Sequence, residues 1–555
     1  MFPLKTPIAV LASTLIMACG SGDSDCKKKR CGKDKGPDTA TVDTGDGVTD
    51  PGLAVSVQRS AVECLDATPR DNSRFDRTES ASEEAPIRFW AAGVAVGDLD
   101  GDGALDTLLP GYTETLYYKG EAGGGRTLNT EAFAGLTLDL ASGATVADYD
   151  GDGDLDVFMT RFLARDLLLR NDGGVFTDVS DAAGILDVER RSVSSSWADY
   201  DQDGDLDLVV GCYGWLDEGT DTEHEDFQPA EPSSLYVNNG DGTFADRSAD
   251  LPQSVHDGYT FVAGWHDLNN DMLPDLYVVN DFGVAFPNVL LWNRGGGVLE
   301  PDNNFAALDL IMTGMGLGVG DFTGDGVIDF VAPEWNGIHL LESTELGFWV
   351  QSGWAKGVYN NLENAQKVGW GADFADMDND GDLDISVAFG VLDSPEYSPP
   401  PNEPDALYLQ DENGNFADRA AEWGIADRGE ARGFALVDFN GDGWLDIVKR
   451  NLSAPAVFYE SRCGESGWMR IRLHQSGMNP MAVGARIRIF DSGTRWIRTI
   501  LAGGHNHASG GPPEAHFGFG DRDVVHRVEV TWPDGQVSNL FDVPTRQILD
   551  ITRDP

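Results

Sequence analysis

Short apolar runs rich in Val, Leu, Ile and Gly recur along most of the chain, and each is interrupted by a cluster of aspartates. A Gly-rich run leads into each cluster, as in Ala92-Gly-Val-Ala-Val-Gly97 or Gly314-Met-Gly-Leu-Gly-Val-Gly320, and a β-branched run such as Leu206-Asp-Leu-Val-Val210 leads out. Downstream, Ser234-Leu-Tyr-Val-Asn-Asn-Gly-Asp-Gly-Thr-Phe244 places Asn-Gly and Asp-Gly between strand-like segments, the chemistry of tight turns that need positive φ. Leu167 to Phe176 and Leu407 to Phe416 repeat the arrangement. The periodicity is that of β-meanders, not of helices.

The acidic pattern Asp-x-(Asp/Asn/Thr)-x-Asp-x-x-x-Asp opens seven times, at Asp98, Asp148, Asp199, Asp267, Asp321, Asp376 and Asp438, in steps of 50, 51, 68, 54, 55 and 62 residues. A spacing of that order is one four-stranded propeller blade with insertions. The expected fold is therefore all-β: a seven-bladed β-propeller over residues 56–462, followed by a small antiparallel β-domain over 463–555, where Met469, Ile471, Leu473 and later Val528, Val530, Trp532 alternate with polar residues. The third and sixth units close with Phe-x-Asp-Arg, at Phe244 and Phe416, but the seventh stops at Val457-Phe-Tyr-Glu460 while an orphan Phe75-Asp-Arg-Thr78 precedes the first. The N-terminal strand is thus expected to complete the last blade and remove an exposed edge. A disulfide between the flanking Cys64 and Cys463 would latch the ring.

The acidic loops carry the strongest chemistry. A hard divalent cation takes six to eight oxygens, and carboxylates on alternate residues of a tight turn point inward together. The predicted ligands are Asp98, Asp100, Asp102 and Asp106 with Ala104 at position seven; Asp148, Asp150, Asp152, Asp156 with Asp154; and Asp199, Asp201, Asp203, Asp207 with Asp205. The fourth loop offers Asp267, Asn269, Asp271, Leu273 and Asp275, and the fifth Asp321, Thr323, Asp325, Val327 and Asp329. The sixth offers Asp376, Asp378, Asp380, Asp382 and Asp384, and the seventh Asp438, Asn440, Asp442, Trp444 and Asp446. Up to seven Ca²⁺ ions follow, held more tightly by four carboxylates than by three. An EF-hand is excluded because position twelve of the first loop is Leu109, not Glu, and the flanks are strands. Magnesium fits poorly, since it keeps its waters and demands a rigid octahedron.

A formal net charge of −54, from 93 acidic and 39 basic residues, excludes nucleic acid as a partner. Lys5 and the apolar run from Ile8 to Ala18, ending at Cys19, have the layout of an export signal, residues 1–18. Ile16-Met17-Ala18-Cys19 resembles the bacterial lipobox, which implies acylation of Cys19 and a lipid anchor. Residues 19–55 are Asp-, Thr-, Gly- and Ser-rich, a disordered tether, with Cys26 and Cys31 read as a local disulfide or idle thiols.

The seven units resemble the FG-GAP/VCBS repeats of integrin-α-type propellers. Gly467-Trp-Met-Arg-Ile-Arg-Leu473, Gly484-Ala-Arg-Ile-Arg488, Gly503-Gly504, His516-Phe-Gly-Phe-Gly520 and Val528-Glu-Val-Thr-Trp-Pro-Asp-Gly535 resemble the ASPIC/UnbV domain. The two in this order are similar to the cartilage acidic protein family and its bacterial relatives, which implies calcium binding and an extracellular place. The expected function is adhesion or binding of an extracellular protein or glycan by an exported outer-membrane or cell-surface lipoprotein. The alternatives are a carbohydrate-active enzyme, of lyase or dehydratase type, using the propeller mouth, and a scaffold in an envelope or biosynthetic assembly. No Gly-x-Ser-x-Gly, His-Glu-x-x-His or phosphate-binding loop is present, so no catalytic residue is assigned. His505, His507 and His516 offer a zinc or catalytic cluster as one reading, but no Cys, Glu or Asp stands at ligand spacing beside them, which favours polar loop residues and a packed strand histidine. Candidate binding surface lies in the acidic excursion from Trp215 to Asp226, in Trp335, Phe348, Trp349, Trp354 and Tyr359, and in the loop around Pro399 to Pro404.

Overall fold

The computed structural model describes residues 52–60, 74–80, 92–214, 230–303, 305–335, 337–344, 347–358, 367–390, 404–452 and 454–554. Cys19, Cys26, Cys31, Cys64, Tyr359 and the segments 215–226 and 399–403 lie outside them. Seven four-stranded antiparallel blades follow one another. The first runs Ala95–Gly97, Asp106–Leu109, Leu116–Gly120, Arg126–Leu128, and the fourth Tyr259–His266, Asp275–Asp281, Val289–Asn293, Leu299–Pro301. In every blade the acidic loop joins the first strand to the second, and its last aspartate is the first residue of that second strand. Both faces of the blades are covered by neighbouring blades, which is why their strands read as continuous apolar runs.

The last blade is closed by the N-terminus. Phe75–Glu79 pairs antiparallel with Val457–Ser461, Phe75 opposite Ser461 and Glu79 opposite Val457. The Phe75 ring, 5% exposed, packs 6.1 Å from the Trp423 ring and 6.3 Å from that of Tyr459. Cys463 is disulfide-bonded.

The C-terminal domain is a sandwich of two four-stranded sheets. One holds Thr494–Thr499, Arg486–Asp491, Val524–Thr531 and Val537–Pro544; the other holds Gln547–Arg553, Gly467–His474 and Glu514–Gly520. Every pairing within them is antiparallel except that of Gly467–His474 with Gln547–Arg553. The fourth strand of the second sheet is Val55–Ser60, which pairs with Gln547–Arg553 rather than joining the propeller into which its position had placed it. The reason is the pattern: alternate residues Val55 and Val57 pack on the sandwich core, while the outer side meets solvent.

One excursion from this domain, residues 502–510, runs along the centre of the ring. Ala502–Gly503 pairs with Ser196–Trp197 of the third blade, Asn506 exchanges backbone hydrogen bonds with Leu317 of the fifth (2.6 and 3.1 Å), and Gly510 does so with Val94 and Val96 of the first (2.8 and 3.0 Å). The innermost strands must be small where it passes: a Cβ on Gly93 would stand 1.7 Å from the Ala508 carbonyl oxygen, and one on Gly433 2.4 Å from that of His507. Gly93→Ala is expected to unseat this segment and Phe75→Ala to open the last blade. The second should cost about 3–5 kcal/mol as a buried Phe truncation, read as a lowered thermal midpoint.

Candidate metal centres

The seven loops share one hydrogen-bond frame. The ninth residue's carboxylate accepts from the position-two amide on one oxygen and from an amide of the blade's third strand on the other. Leu99 N and Gly120 N donate to Asp106 at 2.8 and 2.7 Å, and Phe439 N and Ser461 N to Asp446 at 3.0 and 2.6 Å. The first aspartate accepts from the position-six amide, Gly103 N to Asp98 at 2.9 Å and Gly381 N to Asp376 at 2.9 Å. Position five accepts from the amide of position seven in all seven loops, at 2.9 to 3.3 Å. That turn requires left-handed backbone, supplied by glycines such as Gly101 (φ 72°) and Gly103 (φ 90°). Side chains of the third strand tie the first three loops to the next blade: Asn171 Nδ2 donates to Leu99 O (2.6 Å), Asn238 Nδ2 to Tyr149 O (2.9 Å) and Asn293 Nδ2 to Tyr200 O (2.7 Å).

Among the described residues, four loops gather three carboxylates with oxygens within 4.8 Å of one another: Asp98, Asp100, Asp106; Asp148, Asp150, Asp156; Asp199, Asp201, Asp203; and Asp376, Asp378, Asp384. In the same four loops the position-three oxygen, Oδ1 of Asp100, Asp150, Asp201 and Asp378, is buried without a hydrogen-bond partner, as is Oδ1 of Asp98 and Asp199. Buried carboxylate oxygens without a donor are costly. An inward-facing set of hard oxygens with unfilled valences fits a divalent cation of calcium's type, which would take these aspartates as ligands and neutralise them. Asp267, Asp271 and Asp275, Asp321, Asp325 and Asp329, and Asp438, Asp442 and Asp446 do not meet as such clusters. There the position-three side chain is itself a donor: Asn269 to Asp271 (2.9 Å), Thr323 to Asp321 (3.3 Å) and Asn440 to Asp442 (3.1 Å).

Two contributors escaped the sequence reading. Lys119, on the first blade's third strand, bonds Asp100 and lies 3.0 Å from Asp102. The C-terminal domain covers the loop face: Arg486 pairs with Asp267, Arg495 Nη2 donates to Gly324 O (3.3 Å), Trp496 Nε1 to Gly381 O (2.8 Å) and Arg470 Nη1 to Asp438 O (2.8 Å). The only signal for the arginines was their alternation with apolar residues in the strands at 467–473 and 484–488. Between this domain and the third loop lies a cavity of about 860 Å³ lined by polar groups including Asp203, Asp205, Gln475, Asn479 and Asp534. The three histidines do not converge: His505 Nδ1 is 3.0 Å from Asp373, His507 Nδ1 2.6 Å from Met315 O, and His516 Nε2 2.9 Å from Gly443 O. Of the candidate aromatics, Trp349 is core, its Nε1 donating to Ile328 O at 2.8 Å, whereas Trp354 is 71% exposed.

Burial raises the loop carboxyls above the ordinary range: Asp156 and Asp207 to about 9, Asp275 to about 8, Asp329 to about 7, and Asp106, Asp148 and Asp199 to about 6. Without metal the folded state therefore holds more protons than the unfolded chain, whose aspartates titrate near 3.9. That contribution is complete below about pH 4 and is lost as pH rises through the folded values toward 9. The chelated protein should show a thermal midpoint that falls between pH 5 and pH 8, whereas metal, which needs ionised ligands, should bind more tightly over the same interval. A chelated midpoint that climbs with pH contradicts the assignment.

Two family models match this chain: FG-GAP-like repeat over 148–210, 267–332 and 391–448, and ASPIC and UnbV over 475–555. Among curated proteins, Cartilage acidic protein 1 of Xenopus tropicalis is 26% identical over 298 residues, 51% of this chain and 43% of that protein. Its Mus musculus counterpart is 26% identical over 375 residues, 65% of this chain and 54% of that protein. The chain thus spans about half the length of the curated relatives it matches. Solved structures with a similar fold include a lectin of Agrocybe aegerita (18% identity, 59% of this chain and 79% of that one, TM-score 0.37). The BP39L lectin from Burkholderia pseudomallei is another (12%, 68% and 97%, TM-score 0.42). With seven four-stranded blades, the acidic repeats and the C-terminal sandwich on the page, the chain carries FG-GAP-like repeats and an ASPIC and UnbV domain and is similar to Cartilage acidic protein 1.

Proposed function

We propose that this protein is a calcium-loaded, exported and lipid-anchored surface module that binds an extracellular protein or glycan and performs no catalysis. The observation that carries the calcium reading is that, of the seven acidic loops, the four where three aspartates converge are those with buried carboxylate oxygens that lack donors. A cation there supplies charge neutralisation; the chain's own groups aim the ligands, through the amide bonds at positions two, six and seven. Support for a binding module comes from the FG-GAP-like repeats and from the relatives, and among the described residues no helix is long and apolar enough to cross a membrane. Support for binding over catalysis at the mouth comes from residues 502–510, which occupy the centre of the ring, where a propeller enzyme would place its substrate. The cavity beside the third loop and the exposed Trp354 are the surfaces on which polar and stacking contacts to a ligand can be built.

Calcium at 100 times its dissociation constant should stabilise the fold by about 2.7 kcal/mol per occupied site. The full-length chain in detergent is therefore expected to melt markedly higher in calcium than in EGTA, with magnesium giving little of the rise; equal midpoints in calcium and EGTA, together with a metal-free protein by elemental analysis, would remove calcium from the account. Cys19→Ser should abolish acyl incorporation in cells fed labelled palmitate and release the protein from the membrane fraction. Unchanged label and fractionation would place the anchor elsewhere.

A further inference from the structure

Of the three loops whose carboxylates do not converge, two receive a salt-bridged arginine from the C-terminal domain. In the fourth and seventh loops the first aspartate is met by an arginine of that domain. Arg486 pairs with Asp267, their side chains 11% and 10% exposed. Arg470 Nη1 stands 3.5 Å from Asp438 Oδ2, the two 5% and 0% exposed, and its Nε lies 3.1 Å from Glu514. Both oxygens of each aspartate are engaged. Asp271 N donates to Asp267 Oδ1 (3.0 Å) and Met272 N to Oδ2 (2.9 Å); Asp442 N donates to Asp438 Oδ1 (3.0 Å) and Gly443 N to Oδ2 (2.9 Å). These are also loops in which an asparagine replaces the position-three carboxylate, removing one negative charge. None of their acidic oxygens belongs to the buried unpartnered set that marks the first, second, third and sixth loops.

We propose that Arg486 and Arg470 are the resident cations of the fourth and seventh loops. Seating of the C-terminal domain does there part of what metal does in the four converging loops. These roles rest on calcium occupying those four loops and account for how the remaining charge is balanced. A guanidinium beside three carboxylates lowers the repulsion that otherwise demands a metal, and the same positive charge opposes a divalent ion entering the loop. Arg498 of the same domain also stands near the first aspartates of the fifth and sixth loops, Asp321 and Asp376, but among the described residues an arginine of this domain forms an ion pair with the first aspartate in the two loops that carry asparagine.

The test is a double variant, R470Q with R486Q, in the full-length chain, compared with the unaltered protein in saturating calcium and in EGTA. Thermal midpoints and calcium bound per chain are both read. Removing the charges should make the two loops depend on metal: the drop in midpoint on chelation grows, bound calcium rises by up to two per chain, and the weakest calcium class tightens about tenfold for each positive charge removed. Lysine at either position, which keeps the charge, should return the original response, and the single variants R470Q and R486Q serve if the double does not fold. Equal destabilisation in calcium and EGTA, with unchanged metal count, means the arginines only clamp the domain and overturns the proposal while leaving the calcium reading intact. An unaltered protein with equal midpoints in calcium and EGTA and no bound metal overturns both.

Discussion

Carboxylate repulsion at the blade corners is the constraint on which the rest of the structure depends. Each blade turns from its first to its second strand through a nine-residue loop with three to five acids, and the ninth is buried at the start of the second strand, as Asp106, Asp156, Asp207, Asp275 and Asp329 are at 0% exposure. That aspartate binds the loop to its own third strand, and the third strand's Asn171, Asn238 or Asn293 binds the preceding loop. The loop is therefore both the corner of one blade and the joint to the next. A counter-charge that neutralised such a loop would stabilise the joint as well as the corner, coupling neighbouring blades where the asparagine link is present.

A ring of blades also leaves a centre to fill and an edge to close, and the chain solves both with remote segments. Phe75–Glu79 closes the edge from the N-terminal side. Residues 502–510 fill the centre from the C-terminal side, and the Gly-rich innermost strands make room for backbone against backbone. The sandwich from which that segment issues therefore sits over the loop face, and Val55–Ser60 sits in its sheet, so the two domains share both ends of the described chain. The core is continuous through this junction: Trp197, Leu208 and Ala502 belong to the same apolar cluster as Met469, Ile487 and Phe517.

Much of this was legible in the sequence because it is local. The acidic loops are spelled within nine residues, the turn glycines within them, and blade number follows from counting. Closure by Phe75 was readable because a missing motif and an orphan one could be matched. The place of Val55–Ser60 was not, since a six-residue strand can pair with any open edge and only the packing of Val55 and Val57 selects the sandwich. Nor was the path of 502–510 legible, since Gly503, Gly504 and the histidines carry no mark of what they lie against.

The chain by itself determined the repeat, the turn chemistry and the ligand types, because a cage built on consecutive residues needs no other part of the molecule to be recognised. Tertiary structure alone decided which cages converge and what stands over them. Arg486 reaches Asp267 across 219 residues and Arg470 reaches Asp438 across 32, and in both strands the arginine alternates with core residues as any solvent-facing side chain would. A charge shows its partner only when folding brings the two together, and burial there sets what the pairing is worth.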